Sequence, residues 1–133
     1  MNDLRVRIGF YAAAAFNIVG MLVFTRLFTN DLLFATDPAL FSRQGCALVI
    51  VWGLAYLAQS LSWRVAPWIS AVFAVEKVFF AGSWLVWMMG NAHRLPEIAA
   101  ADTLAGSFYG LYGVGDALFA GFFVWAFLQA RKR

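Results

Sequence analysis

Four stretches of this chain are apolar and almost free of charge. Ile8 to Thr25 and Gly45 to Trp63 carry none, Pro67 to Gly90 is broken only by Glu76-Lys77, and Leu104 to Ala130 only by Asp116. A helix that crosses a bilayer needs about 20 apolar residues. The pattern therefore predicts an all-α, multi-pass four-helix membrane bundle, a single membrane domain over 1–133 with spans of about 8–28, 40–63, 67–90 and 104–130.

Local signals place the helix ends. Thr36-Asp37-Pro38 has the form of a helix start, with Thr36 or Asp37 as cap and Pro38 at the first helical position, so the second helix begins before its apolar core. Pro67 opens the third helix and Asp102-Thr103 caps the fourth. Arg5 and Arg7 ahead of the first apolar run would suit a signal peptide, but Phe24-Thr25-Arg26-Leu27 offers no small-x-small cleavage site, so this run reads as a retained span.

An even number of spans puts both termini and the Trp63–Pro67 turn on one side. Arg5, Arg7, Arg64, Arg131, Lys132 and Arg133 fall there, against Arg26, Arg43 and Arg94 on the other, which makes the termini cytoplasmic by the positive-inside rule. Trp63, Trp68 and Trp125 then lie at the inner interface and Trp84 and Trp87 toward the outer one. The longer connections, Arg26 to Gln44 and Asn91 to Thr103, are partly apolar, as interfacial segments are.

Composition removes several classes of function. With 63% of its 133 residues hydrophobic and 13% charged, against about 25% charged in soluble domains, the chain is not a water-soluble monomer, and a plasma or bacterial inner membrane is its expected location. One histidine, His93, cannot supply a bis-histidine haem or a carboxylate-histidine di-iron site. One cysteine, Cys46, forms no internal disulfide or Cys-x-x-Cys pair. No metal or cofactor is expected. The net charge of +3 comes from basic residues at membrane edges, which reads as topology and not as nucleic-acid binding.

Glu76, Lys77, Asn17 and Asp116 lie about 14–20 Å along their helices from the cytoplasmic ends, near the middle of a core about 30 Å thick. A charge there costs about 2.5–3.5 kcal/mol on insertion scales, so it faces the bundle interior and finds partners. Glu76 and Lys77 are neighbours about 100° apart around their helix and must look in different directions, which leaves Lys77 free to pair with Asp116. Tyr109, Tyr112 and Asp116 share a face of the fourth helix, as Trp52, Tyr56 and Gln59 do on the second, and Gly9, Ala13, Asn17 and Gly20 form a narrow face on the first. Two carboxylates and one ammonium leave one negative charge at mid-bilayer. Either a carboxyl holds a proton, or a cation, ligand or partner supplies the missing charge.

Gly113, Ala117 and Gly121, spaced by four, read as a face packed inside the bundle against Gly9, Ala13 and Gly20. Gly113-Val114-Gly115-Asp116 resembles the short Gly-x-Gly-Asp signature of intramembrane aspartyl proteases. That resemblance implies a second aspartate to share the proton; here the other intramembrane acid is Glu76, beside Lys77, and the four-residue match reads as a product of a glycine-rich helix.

The leading expectation is a protein that binds or transports a small amphipathic or cationic ligand, exchanged against a proton, at Asn17, Trp52, Tyr56, Glu76, Lys77, Tyr109, Tyr112 and Asp116. The alternative is an accessory or assembly subunit of a larger membrane complex, or a homo-oligomer, in which the same residues only lock the helices and the partners are lipids and other subunits. A third reading is a lipid-modifying enzyme with Glu76 and Asp116 as acid and base.

Overall fold

The computed structural model describes residues 2–132; Arg133, counted above with the inner-side basic residues, lies outside the described residues. Every described element is helical: α1 (Asn2–Phe24), α2 (Asp31–Thr36), α3 (Pro38–Phe41), α4 (Arg43–Gln59), α5 (Pro67–Asn91), a 3-10 turn (Ala92–Arg94), α6 (Leu95–Ala101) and α7 (Thr103–Ala130). Three helices are long and apolar enough to cross a membrane: α1, the run Pro67–Ala101 that α5 opens, and α7. α4, with 17 residues, is about 25 Å long and falls short of a hydrocarbon core of about 30 Å.

Several boundaries differ from those expected. The first helix ends at Phe24 and not near residue 28, because Arg26, Leu27 and Phe28 take positive φ of 50°, 56° and 64°. Side chains hold this left-handed turn: the Thr25 hydroxyl donates to the Met21 carbonyl (2.5 Å) and accepts from the Phe28 N–H (3.0 Å), while Asn30 Nδ2 donates to the Phe24 carbonyl (3.0 Å). The expected second span, 40–63, is split at Ser42. Its hydroxyl caps α4 by accepting from the Gly45 N–H (3.1 Å). Gly45 lets the Leu40 carbonyl come so close that a Cβ would sit 2.0 Å from its oxygen. α4 also stops at Gln59, short of 63. Pro38 and Pro67 occupy first-turn positions as expected, but Asp37 precedes Pro38 without a side-chain cap hydrogen bond and opens only the four-residue α3; the Asp102 carboxylate caps α7 through the Leu104 N–H (3.2 Å).

The long helices pack as two pairs, α1 with α4 and α5 with α7, with a sparser α1–α7 seam between them. At one end, Asp3 near the start of α1 accepts from Nε of Arg64 (2.8 Å) in the turn between α4 and α5. There Val6, Phe10, Ala13, Tyr56, Trp63, Phe73, Phe123 and Ala126 form one core. At the other end α2, α3 and α6 fold over the helix tips, and Leu33, Phe34, Phe41, Ile98, Phe108, Tyr109 and Tyr112 form a second core. We call these the terminal half and the cap half.

Burial divides the tryptophans. Trp63 (3% exposed) and Trp87 (8%) are core residues, whereas Trp68 is exposed. Trp84 donates its indole N–H to the Tyr109 carbonyl (2.8 Å) and lies over Gly113, where a Cβ would come within 2.2 Å of the ring.

Small residues act differently from the expected single face. Gly9 and Ala13 do pack: a Cβ at Gly9 would meet the Phe122 ring at 2.0 Å, and Ala13 is fully buried. Gly113 packs against α5, through Trp84, and not against α1. Ala117 and Gly121 are exposed, and a Cβ at Gly20 or Gly121 would meet no atom within 4 Å. The four-residue spacing thus spreads over more than one face because side chains from α5 and α1 approach α7 from different directions.

Candidate functional site

Five side chains from the four long helices meet where the two halves join. Lys77 Nζ donates to Asp116 Oδ1 (2.7 Å) and to Asn17 Oδ1 (2.8 Å). Asn17 Nδ2 donates to the Val49 carbonyl (3.0 Å) and reaches the Tyr56 hydroxyl (3.5 Å), which in turn donates to Glu76 Oε2 (2.6 Å). Asp116, Lys77, Asn17, Tyr56 and Glu76 therefore form one continuous chain of polar contacts across α7, α5, α1, α4 and back to α5.

The neighbours dictate the Asn17 amide orientation. Its oxygen faces an ammonium, which can only donate, and its nitrogen faces a carbonyl, which can only accept. A carboxylate or a leucine at position 17 would satisfy at most one side. Glu76 and Lys77 diverge as their helical separation requires: no ion pair joins them among the described residues, and each finds a partner on a different helix.

All five groups are buried, Lys77 to 1% exposure, Asn17 to 2%, Asp116 to 5% and Glu76 to 8%. The Lys77 ammonium also stands 5.2 Å from the Phe16 ring centre and 5.4 Å from that of Tyr56, a distance at which ring faces attract cations. Hydrogen bonds account for one oxygen of each carboxylate; Asp116 Oδ2 and Glu76 Oε1 have no protein partner among the described residues. With both carboxyls ionised the cluster would hold one net negative charge, in a place where an unpaired charge is costly.

Asn17, Glu76, Lys77 and Asp116 form the polar end of a cavity of about 270 Å³. The rest of its wall is apolar and largely aromatic: Phe16, Met21 and Phe24 from α1, Phe41 from α3, Val49 from α4, Phe80 from α5, and Phe108, Leu111 and Tyr112 from α7, with Ser107 as a further polar group. The Tyr112 hydroxyl is buried without a hydrogen-bond partner. Two of the lining residues, Phe16 on α1 (36%) and Leu111 on α7 (62%), are exposed, and Gly20 of α1 also lines the cavity.

Of the eight side chains expected to share a site, Asn17, Glu76, Lys77, Tyr112 and Asp116 line this cavity, and Tyr56 joins through its hydrogen bond to Glu76. Two lie elsewhere. Trp52 turns edge-on to Phe73 (6.0 Å between ring centres) in the terminal half. Tyr109 shares a helix face with Asp116, yet its hydroxyl is committed to the cap: it donates to the Leu33 carbonyl (2.6 Å) and accepts from the Asp37 N–H (3.2 Å). Long side chains on a helix lean toward its N-terminus, which carries Tyr109 away from the carboxylate one turn and more below it. Phe41 and Phe80 were not singled out from the sequence; Phe41 arrives on the short α3, whose position depends on the fold of the cap.

Among the described residues no cluster of three metal-ligating side chains occurs. No known protein family, characterised protein or solved structure matches this chain.

Proposed function

We propose that this chain is a four-helix integral membrane protein with both termini in the cytoplasm, and that its cavity binds a small amphipathic cation, exchanged against a proton. The observation that carries this reading is the joining of two carboxyl groups and one ammonium to an aromatic cavity, at the head of about 270 Å³ of space lined largely by aromatic rings; with both carboxyls ionised, one negative charge is left to compensate. A monocation placed there neutralises the site, contacts the free carboxylate oxygens and lies against ring faces. Without it, a proton on one carboxyl restores neutrality, so ligand and proton compete. The volume lies just under the roughly 300–1,000 Å³ of pockets for drug-sized ligands, which favours a compact ligand. Exposed basic residues at the ends of α1 and α7 and in the Arg64 turn support the orientation.

Calorimetric titration of benzyltrimethylammonium into the protein in lipid nanodiscs tests this. The wild type is expected to bind more tightly at pH 8 than at pH 5.5 and to release up to one proton. Glu76→Gln and Asp116→Asn are each expected to weaken binding by about tenfold or more, roughly 1.4 kcal/mol. Equal affinity in all three proteins at both pH values would refute the reading.

A second reading, an accessory subunit with a purely structural polar chain, draws support from Ala117 and Gly121, small exposed residues on α7 with open space around Gly121. It predicts that gentle solubilisation releases a stable larger complex and that the cation does not bind.

A further inference from the structure

The seam between α1 and α7 has a gap at one level. Four aromatic pairs cross it: Phe10 with Phe122 (5.4 Å between ring centres) and with Phe123 (5.6 Å) in the terminal half, then Phe16 with Phe119 (5.2 Å) and Phe24 with Phe108 (5.7 Å). Gly115 makes the crossing at Phe16 possible, since a Cβ there would stand 2.4 Å from that ring. The rows at residues 16 and 24 are about 12 Å apart along α1. Halfway between them is Gly20, with no atom within 4 Å of a Cβ placed on it, and Leu111, exposed on α7, faces the same cavity. Gly20 lies within the apolar length of α1, six residues before Arg26.

The cap closes the other approach. α2 and α3 are fixed over the cavity by the Tyr109 hydroxyl, and Phe41 fills the space beneath them, with ring centres 4.8 Å from both Phe108 and Tyr112. Toward the terminal half, Tyr56, Phe73 and Phe123 pack with ring centres 4.8–5.3 Å apart.

We propose that the cavity takes its ligand from the bilayer, a lipid-dissolved organic monocation that passes sideways between α1 and α7 through a window at Gly20. This rests on the cation-binding reading above. The charge imbalance selects the occupant: an acyl chain would fill the aromatic part and leave the carboxylates uncompensated, whereas a cation with an apolar body satisfies both.

The test separates entry from binding. Association and dissociation rates of benzyldimethylhexylammonium, a monocation whose hexyl chain carries it into lipid, are measured in nanodiscs for the wild type, Gly20→Leu and Gly121→Leu, the last an exposed glycine outside the cavity that is equally free of neighbours. Closing the window is expected to slow both association and release by about threefold or more, even where the added side chain, which borders the cavity, shifts Kd; Gly121→Leu is expected to match the wild type. Unchanged rates in Gly20→Leu, or weaker binding through faster release, would overturn lateral entry while leaving the cation reading intact. Absence of binding by the wild type would overturn both. An independent arm uses a nitroxide on Gly20→Cys in a Cys46→Ala background: collision with oxygen but not with a water-soluble nickel chelate supports the window, and the reverse overturns it.

Discussion

The terminal half and the cap half are built from the same long helices, yet one is closed and the other contains a cavity. In the terminal half the rings of Phe10, Tyr56, Phe73 and Phe123 pack on one another and Gly9 admits the Phe122 ring, filling the core. In the cap half the rings of Phe24, Phe41 and Phe108 line a cavity instead, under short helices. The polar chain from Asp116 to Glu76 lies between the filled core and the cavity, which is where a ligand can be admitted without dismantling a core.

The largest effect should come from breaking the boundary itself. Asp116→Leu leaves the Lys77 ammonium buried with Asn17 as its one hydrogen-bond acceptor, and removing one partner of a buried pair typically costs about 3–5 kcal/mol. Adding Lys77→Met removes the orphaned charge, so the double variant is expected to recover most of the loss. Unfolding of the reconstituted protein in graded sodium dodecyl sulfate measures both, and a double variant no more stable than Asp116→Leu would show that the pair is not the element joining the halves.

Next in size is a glycine comparison across the halves. Gly9→Ala puts a methyl group into the Phe122 ring, and such overpacking costs about 1–3 kcal/mol. Gly20→Ala meets nothing and removes backbone freedom from the unfolded chain, so it is expected to stabilise by up to about 1 kcal/mol. Similar effects at the two sites, read by the same unfolding assay, would contradict the contrast in packing.

Tyr109→Phe tests the cap alone. It strips a hydrogen bond from the buried Leu33 carbonyl and another from the Asp37 N–H, at a cost of about 1–2 kcal/mol. Hydrogen exchange should quicken in α2 and α3 and stay unchanged in Val6–Ala13; faster exchange throughout would mean that the halves do not open separately.

How far these features could be read beforehand follows the same division. Apolar run length located α5 and α7, and the misfit of Glu76, Lys77, Asn17 and Asp116 to their surroundings picked out residues that do converge, because a charge at that depth must find a partner. Helical geometry alone separated Glu76 from Lys77. The cap was illegible for a specific reason: Arg26, Leu27 and Phe28 have no preference for positive φ, and the turn exists because Thr25 and Asn30, which flank it, bind its backbone and Asp102, far away in sequence, holds Arg26 and Asn30. Ser42 and Gly45 were present as a capping signal, but an apolar run on either side concealed the break. Tyr109 shows the limit of shared-face reasoning, since a face says which side chains are aligned and not which way each one leans.

The smallest effect concerns the clamp that holds the left-handed turn. Asp102 accepts from the Arg26 guanidinium (2.7 Å) and from Asn30 Nδ2, besides capping α7. The hydrogen bond from Arg26 comes first among the causes that hold its carboxyl below the usual 3.8, with those from Asn30 and the Leu104 N–H adding to it. A carboxyl depressed on folding stabilises the folded state fully above its unfolded value and loses that contribution as pH falls through the folded one. Arg26 is 54% exposed, so solvent screens the pair and the change is small. Acidification from pH 6 to pH 3 is therefore expected to quicken hydrogen exchange slightly in Thr25–Leu33, after correction for the intrinsic rate, with no matching change around Val6–Ala13. Asp102→Asn should abolish the difference, because an amide keeps a capping oxygen but has no charge to lose. A pH effect that persists in that variant would place the sensitivity elsewhere in the cap and remove Asp102 as the group that distinguishes the two halves in acid.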